Sequence, residues 1–292
     1  MPANNERWTV LRLLNWTRDY FSKAGLDSPR LCAEMLLAEC LGSQRIDLYA
    51  RGHDEPDEAV RGRFREMVRR AVDGEPVAYI VGRKEFFSLP FKVTADVLIP
   101  RAETELLVDQ AVNELRLRGG GDCWDACTGS GCVAVAVAAN VEEARVLATD
   151  VSPEAVAIAV ENAEANGVGD RVTTAVADLL TLPEAWDHEA TFDVITANPP
   201  YVADDDEVGH GVDREPAVAL RAGPTGLAII RRLLPQAPAM LKDEGLLCVE
   251  FGMGQVDEVR DTIMATGAFY EPEILTDTQD LERAAVARRR PQ

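Results

Sequence analysis

The sequence contains no apolar stretch long enough to cross a membrane. Its longest apolar run, Cys132–Val141, is about half of the ~20 residues that a transmembrane helix needs. The first residues, MPANNERWTV, have neither the basic nor the apolar region of a secretory signal. With 47% hydrophobic and 27% charged residues, the composition is that of an ordinary globular protein. We therefore expect a cytoplasmic protein that makes no membrane contact.

Residue spacings typical of metal sites are also missing. The six cysteines form no Cys-x-x-Cys pair, and there are only three histidines. Asp204–Glu207 is a run of four acidic residues, but all-carboxylate clusters without spaced ligands are rare, which favours a solvated loop. We expect no metal ion and, since free cysteines of cytosolic proteins are mostly buried, reduced thiols.

Positive charge is scarce in the carboxy-terminal two-thirds of the chain. Residues 1–93 carry 15 Lys+Arg and 14 Asp+Glu, whereas residues 94–292 carry 15 and 36. Binding to phosphate backbones depends on neutralisation by lysine and arginine. The charge distribution therefore predicts that the protein does not bind nucleic acid directly.

The front of the chain, residues 1–74, has the pattern of a small helical domain of about four helices. Trp8, Leu11, Leu14 and Phe21 follow helical spacing. A second helix is expected from Ser28-Pro29, a cap followed by proline at the first helical position, to Gly42. A third is expected over Asp57–Asp73.

Residues 75–97 are rich in β-formers, from Val77 to Val93, and predict a β-hairpin that links two domains. A helix is expected from Glu103 to Leu117. Beyond it, within the second domain (98–292), strand and helix patterns alternate, which indicates an α/β fold with a mostly parallel sheet covered by helices. The strands are expected at Cys123–Cys127, Arg145–Thr149, Arg171–Ala175, Asp193–Ala197, Gly245–Phe251 and Glu273–Leu275, and the helices at Pro153–Asn166, Thr225–Leu241 and Gln255–Thr266.

The first candidate site is a glycine turn between a strand and a helix, Cys127-Thr128-Gly129-Ser130-Gly131. Glycine lets the backbone approach a ligand, and a helix N-terminus offers free N–H groups. Ala134 stands where a dinucleotide fingerprint has its third glycine, a change that does not exclude a dinucleotide. Asp150, at the end of the next strand, is placed to accept the hydroxyls of a ribose. Asp178-Leu179 follows the third strand and could meet an adenine.

The second candidate site is Asn198-Pro199-Pro200-Tyr201, directly after an apolar strand. Two prolines make the turn rigid and leave carbonyl oxygens to accept hydrogen bonds. The Asn198 side-chain oxygen and the Pro199 carbonyl could accept both protons of a planar NH₂ group, with Tyr201 stacked on its face. An amide nitrogen is a weak nucleophile, so holding it in line with an electrophile would be the main contribution to catalysis.

These motifs together resemble the seven-stranded, Rossmann-like class I methyltransferases that use S-adenosyl-L-methionine, in which Asn-Pro-Pro-Tyr marks enzymes that methylate planar amino groups. The resemblance narrows to the protein-(glutamine-N5) methyltransferases of peptide chain release factors, the HemK/PrmC family. The segments that carry it are Glu85–Phe91, Leu98–Arg101 with Glu103–Glu105, Glu215-Pro216 and Ala219-Leu220. The sequence departs from the family pattern at Ala102, where proline is usual, at Cys127, where glycine is commoner, and at Asp280–Arg283, where a glycine is missing.

The resemblance implies a methyl donor lying along residues 127–131 and close to Asn198, with its ribose on Asp150 and its adenine near Asp178 and Leu179. It implies that Asn198, Pro199, Pro200 and Tyr201 hold the glutamine of the Gly-Gly-Gln motif of bacterial class I release factors. The helical front domain would help to dock that substrate, and the last strand of the sheet would run antiparallel. The resemblance also fits a monomeric enzyme.

Three other functions remain open at this stage. Glutamine methylation of a ribosomal protein would use the same chemistry. Adenine-N6 methylation of nucleic acid also uses Asn-Pro-Pro-Tyr, but such an enzyme needs a basic groove and room for a flipped base. A protein that binds a cofactor and only docks a translation factor or a cofactor-biosynthesis protein would need no intact Asn-Pro-Pro-Tyr.

Overall fold

The computed structural model describes residues 7–209 and 211–291; the first six residues, on which the signal-peptide expectation partly rests, lie outside that range, as do His210 and Gln292. Contacts divide the chain into two units. The first takes in the chain up to Gly82 together with Val208–Arg214, and the second comprises Arg83–Glu207 and Glu215–Gln292. No helix in the described part of the chain combines the length and the apolar character that crossing a bilayer requires.

The first unit is helical and packs around one apolar core. Its α-helices within the described residues are α1 (Val10–Ala24), α2 (Pro29–Leu41), α3 (Asp47–Ala50), α4 (Glu58–Val72) and α5 (Val77–Val81). The core includes Phe21, Leu36 and Phe64, all almost fully buried. The three expected helices are confirmed, and the single-turn helices α3 and α5 bring the total to one more than the four expected.

Ser28 occupies the position before α2, but it does not act as the expected cap. Its backbone is left-handed, with φ 47°, and its hydroxyl makes no capping hydrogen bond. A capping side chain needs an extended backbone to reach the free N–H groups of the first turn. The helix begins at Pro29, whose fixed φ suits the first helical position. The helix start is therefore confirmed and the serine cap is wrong.

Val77–Val81 was expected to belong to the hairpin, but it forms the helix α5. The Pro76 carbonyl accepts from the backbone N–H of Ile80, and Gly82 ends the helix in a left-handed conformation. Ala78 and Ile80 are buried, and the helix packs against α2. Tertiary packing overrides the β-propensity of these residues, so the sequence-based assignment is wrong here.

The hairpin itself is shorter than expected and consists of β1 (Arg83–Phe86) and β2 (Leu89–Lys92). Phe87 and Ser88 connect the strands with φ of 49° and 61°. Left-handed backbone at both central positions gives the twist that a two-residue hairpin needs. The carboxylate of Glu105 stabilises this turn by accepting from the Phe87 N–H at 2.9 Å.

The second unit is built on a seven-stranded sheet in the order β5-β4-β3-β6-β7-β9-β8. Its strands are β3 (Gly121–Ala126), β4 (Ala144–Asp150), β5 (Val172–Val176), β6 (Phe192–Ala197), β7 (Leu241–Glu250), β8 (Glu273–Thr276) and β9 (Glu282–Arg288). Strands β3 to β7 are parallel neighbours, and β9 runs antiparallel between β7 and β8. The expected α/β class, the seven strands and the antiparallel last strand are confirmed.

Helices cover both faces of this sheet, as expected for parallel strands. They are α6 (Glu105–Arg118), α7 (Cys132–Asn140), α8 (Pro153–Ala165), α9 (Ala217–Leu220), α10 (Ala228–Leu233), α11 (Ala237–Met240) and α12 (Val256–Ala265). Successive strand residues point to opposite faces, so Cys123 joins one apolar core and Trp124 the other.

Asp204–Glu207 is an exposed loop, as expected.

One long helix was expected over Thr225–Leu241, but the structure has the two short helices α10 and α11 instead. Pro235 and Pro238 lack the N–H groups that a continuous helix would need. Strand β7 then begins at Leu241, earlier than the expected Gly245.

Candidate active site

Loops after the parallel strands meet at the carboxyl edge of the sheet and enclose a cavity of about 280 Å³. This edge is where open α/β sheets bind ligands. The structure brings most of the predicted site residues to the cavity wall: Cys127, Thr128, Gly129, Ser130, Asp150, Asp178, Leu179, Asn198 and Pro200. Gly131, Pro199 and Tyr201 neighbour these residues in sequence but are not part of the wall.

Asp125, the penultimate residue of β3, holds the glycine turn in place by hydrogen bonds. Its carboxylate accepts from the hydroxyls of Thr128 at 2.6 Å and Thr196 at 2.8 Å. Burial raises the pKa of Asp125 to about 6, although both hydroxyl bonds favour the charged form. The carboxylate thereby ties the turn to the adjacent strand β6.

The glycine turn relies on left-handed backbone at three of its five residues. Gly129 and Gly131 have φ of 53° and 78°, and a Cβ at Gly131 would approach the Cβ of Ala159 to 3.0 Å. Cys127 adopts φ 58°, a left-handed conformation that residues with a side chain adopt uncommonly. Cys127 lines the cavity, and burial raises the pKa of its thiol, which therefore stays protonated.

Asp150 ends β4 and holds the turn from the other side. Its Oδ2 accepts from the Gly129 N–H at 2.9 Å, and its Oδ1 accepts from the Ser152 N–H at 3.0 Å. Burial raises the pKa of Asp150. Ser152, rather than Asp150, caps helix α8 by accepting from the Ala155 N–H. Each oxygen of Asp150 retains capacity for a further donor, as a ribose would require.

Two more residues give the cavity polar character. The Ser130 hydroxyl is buried beside the Cys132 thiol, with no nitrogen or oxygen of the described residues at hydrogen-bond distance. Asp178 forms an ion pair with Arg232, a cavity residue that the sequence did not single out. Asp125, Asp150 and Asp178 together line the cavity with carboxylates, which suits a cationic ligand.

Asn198 lies at the end of β6, where a chain of hydrogen bonds fixes its side chain. Its Nδ2 donates to the Thr104 hydroxyl at 3.1 Å, and that hydroxyl donates to Glu250 Oε2 at 2.7 Å. The Tyr201 hydroxyl donates to Glu250 Oε1 at 3.1 Å. The Asn198 oxygen is thus left to accept from a group in the cavity. Tyr201 is tied to Glu250, and its expected stacking on a bound amide stays a prediction.

Glu250 is the last residue of β7 and is only 2% exposed. Both of its hydrogen-bond partners are hydroxyl groups. Burial raises the pKa of Glu250 to about 7. Burial, with the nearby Glu250 charge, also raises the pKa of Tyr201 well above its ordinary value, so Tyr201 keeps its proton.

A cross-link between Glu215 and residues 99–101 supports one wall of the same cavity. The buried carboxylate of Glu215 accepts from the Ile99 N–H at 3.0 Å and pairs with Arg101. Leu98, Pro100 and Arg101 face the cavity. The segments around residues 98–101 and 215, which are far apart in sequence, therefore form one structural feature, a cross-link that holds the wall in place.

Sequence reasoning missed Glu250, and it quoted Thr104 without giving that residue a role. The pairing of Ala197 with Val249 places Asn198 opposite Glu250, because β6 and β7 are parallel neighbours. A glutamate that ends an apolar strand, Leu246–Val249, was the available signal.

Within the described residues, no three His, Cys, Asp or Glu side chains are grouped to hold a metal ion.

Comparison with known families gives two matches along the chain. A profile described as the PrmC N-terminal domain matches residues 12–82, and one described as a methyltransferase domain matches residues 124–214. A curated relative from Rhodopirellula baltica is 40% identical over 288 residues, covering 96% of each chain. One from Moorella thermoacetica is 39% identical and covers 91% of this chain and 93% of its own. Both relatives are named release factor glutamine methyltransferase.

Solved structures with low sequence identity share the fold. The hMettl16 catalytic domain, solved with a MAT2A 3'UTR hairpin, has a TM-score of 0.55 and 17% identity over 70% of this chain and 78% of that chain. A methyltransferase from Pyrococcus furiosus has a TM-score of 0.52 and 16% identity over 76% of this chain and 98% of that chain. These likenesses establish the class I methyltransferase fold of the second unit's sheet.

Proposed function

Because this chain belongs to the release factor glutamine methyltransferase family, we propose that it methylates the side-chain nitrogen (N5) of the Gly-Gly-Gln glutamine in bacterial class I release factors. The proposed methyl donor is S-adenosyl-L-methionine. The observation that carries the proposal is the held amide of Asn198, whose Nδ2 is engaged by Thr104 and whose oxygen is left for a substrate N–H at the cavity.

The residues of the cavity fit that donor. Ser130 offers a buried hydroxyl at the cavity wall, and Gly129 has open space where a side chain would otherwise project. Asp150 would hold the ribose hydroxyls, while Asp178 and Leu179 would lie near the adenine. When bound, the donor supplies a methyl group on a positively charged sulfur, and the carboxylates of the cavity suit that charge.

The protein's part in the reaction is to position the substrate. The Asn198 oxygen and the Pro199 carbonyl would accept the two amide protons of the glutamine, while the rigid Pro199-Pro200 turn keeps both acceptors in place. Hydrogen bonds to both protons aim the amide nitrogen at the methyl group. No residue is required as a base, because methylation makes the nitrogen acidic enough to release a proton to solvent.

The two units would divide the work. We propose that the helical front domain, expected at residues 1–74, helps to dock the release factor and that residues 98–292 carry out the reaction. The match to the PrmC N-terminal domain supports this division.

All six cysteines are free thiols, which supports a cytoplasmic site of action. A monomer stays the prediction, to be checked by sedimentation.

Replacing Asn198 tests the proposed chemistry. Asn198→Ala is expected to lower kcat for release factor methylation by about 100- to 1000-fold, the scale of removing one preorganised hydrogen-bonding group from an active site. Binding of S-adenosyl-L-methionine, measured by calorimetry, should stay nearly unchanged. The control is Asn113→Ala, an exposed asparagine on α6 that should leave both unaffected. Normal methylation by Asn198→Ala would contradict the proposed function.

A further inference from the structure

The hydrogen-bond chain behind Asn198 has a direction, and that direction determines which end of the Asn198 amide faces the cavity. The two ends of an asparagine amide have nearly the same shape, so hydrogen-bond partners decide its orientation. Three elements bring the partners together: the end of β6, the end of β7, and the turn of 3₁₀ helix, Ala102–Thr104, that precedes α6.

An ionised Glu250 can only accept hydrogen bonds. The Thr104 hydroxyl has one proton, and at 2.7 Å from Oε2 that proton is donated to the carboxylate. The oxygen of Thr104 is then left as an acceptor toward Asn198. Only the NH₂ end of Asn198 can satisfy it, at 3.1 Å, so the carbonyl end must point the other way.

A protonated Glu250 would permit the opposite arrangement. Its O–H could donate to Thr104, whose own proton would then be free to bond the oxygen of Asn198. The amide would turn over and present its NH₂ group to the cavity. Two NH₂ groups facing each other cannot hydrogen-bond, so a substrate amide would lose its acceptor.

We propose that Glu250, acting through the hydroxyl of Thr104, is the positioning residue that makes Asn198 present its oxygen to the substrate nitrogen. This inference rests on the proposed function and deepens it, since it names the groups that set the polarity of the substrate-holding amide. Neither Glu250 nor Thr104 takes part in bond making; each acts by orienting its neighbour.

The charge state of Glu250 gives this arrangement a pH dependence. The groups that face it are Glu103, which raises its pKa, Arg283, which lowers it, the thiol of Cys132, and the hydroxyls of Thr104 and Tyr201. With burial, they place the pKa of Glu250 at about 7. We expect kcat to rise with pH through that region, because the relay has the required direction only when Glu250 is ionised.

A matched pair at Thr104 tests the relay. Thr104→Val keeps the shape but removes the hydroxyl, and it is expected to lower kcat by about 100-fold, the scale on which small misplacements slow an enzyme. Thr104→Ser restores the hydroxyl and should recover most of that loss. The KM for release factor and the affinity for S-adenosyl-L-methionine should change little in either variant, and thermal unfolding shows whether each is folded.

Glu250→Gln tests the direction of the relay. Glutamine can donate as well as accept, so it no longer selects one orientation of Asn198. We expect a lower kcat and the loss of the rise in kcat near pH 7. Asp125, with a pKa of about 6, is retained in this variant. A rise that persists in Glu250→Gln would therefore originate elsewhere and would overturn the inference.

The inference and the proposed function fail in distinguishable ways. If the wild-type protein methylates release factor while Thr104→Val and Glu250→Gln match its kcat and pH profile, the inference is wrong and the function stands. If the wild-type protein instead methylates a ribosomal protein or DNA, the function is wrong. The same variants are then assayed on that substrate, which also presents an N–H group. A wild-type protein that methylates none of the three overturns both.

Discussion

At the scale of single residues, the charge of Glu250 has opposite effects on folding and on the proposed catalysis. The ionised form that the proposed role requires is the form that burial disfavours. Its buried carboxylate has a pKa of about 7, well above the ordinary value of 4.5. The unfolded chain thus loses this proton at lower pH than the folded protein does. Stability from this group is complete below pH 4.5 and decreases as the pH rises to about 7. An ionised Glu250 is therefore retained at a cost to folding.

Removing that charge should stabilise the protein. At pH 8, Glu250→Gln is expected to raise the free energy of unfolding by up to about 3 kcal/mol, the equivalent of the pKa shift. The advantage should vanish near pH 4, where Glu250 is neutral in both states. Chemical denaturation at the two pH values measures the difference. Glu184→Gln, at an exposed position, makes the same change in net charge and should have little effect.

A Glu250→Gln protein that is less stable than wild type at pH 8 would contradict this account of the buried charge. A protein that is more stable and less active would show that the loss of activity does not come from unfolding. The stability measurement thereby supports the interpretation of the kinetic one.

Cys127 shows how far a single residue could be predicted. The sequence placed a ligand-binding turn at residues 127–131, and the structure brings four of those five residues to the cavity. The strand expected to end at Cys127 ends at Ala126, because left-handed backbone begins at Cys127, two residues before the first glycine of the turn. A cysteine in that conformation is uncommon, so composition alone does not predict it.

At the scale of elements, one ion-pair cluster joins helix α6 to the antiparallel strand β9. The Glu114 carboxylate accepts hydrogen bonds from Nη1 and Nη2 of Arg288, both at 2.9 Å, and Arg118 pairs with the same carboxylate at 2.7 Å. These hydrogen bonds lower the pKa of Glu114 to about 2 despite its burial. Because the folded pKa lies below the unfolded one, the stabilisation is present above pH 4.5 and is lost as the pH falls toward 2.

Breaking this cluster should destabilise the second unit. Glu114→Gln is expected to lower the free energy of unfolding at pH 7 by about 1–2 kcal/mol, a figure reduced because the arginines are partly exposed and solvent screens the pair. The difference from wild type should shrink as the pH falls from 4.5 toward 2. Denaturant titrations across that range measure it.

The comparison is Glu161→Gln, which breaks the exposed ion pair with Lys92. Surface pairs contribute little, so its unfolding curve should nearly match that of the wild type. If both variants lose the same stability at pH 7, the α6–β9 cluster has no special role in holding the strand.

Elements were predictable where local pattern and tertiary packing agree. The apolar β6 strand and the capped helix α8 were expected almost at their observed bounds. The helix at Val77–Val81 was not predicted, because packing against α2 outweighs the β-propensity of its residues. The split of α10 from α11 was readable from Pro235 and Pro238. That Asn198 lies opposite Glu250 could not be predicted, because it depends on which strands become neighbours in the sheet.

At the scale of the whole molecule, charge separates the remaining functions. The formal net charge is −20, and the acidic excess lies in residues 94–292, which include the cavity. From this balance of charge we still expect no direct binding to the phosphate backbone that an adenine-N6 methyltransferase must approach. The acidic excess gives no comparable electrostatic reason to disfavour a protein substrate. The fold shared with an RNA-bound methyltransferase domain does not decide between these substrates, since one fold serves many functions.

The most direct test of this account is to incubate the purified protein with tritiated S-adenosyl-L-methionine and to offer a class I release factor, a ribosomal protein and duplex DNA separately. Mass spectrometry of the labelled product then locates the added methyl group. The account predicts label in release factor alone, on the glutamine of the Gly-Gly-Gln motif. Label on the ribosomal protein would retain the chemistry and reject the substrate. Label on DNA, or on none of the three, would contradict the central claim.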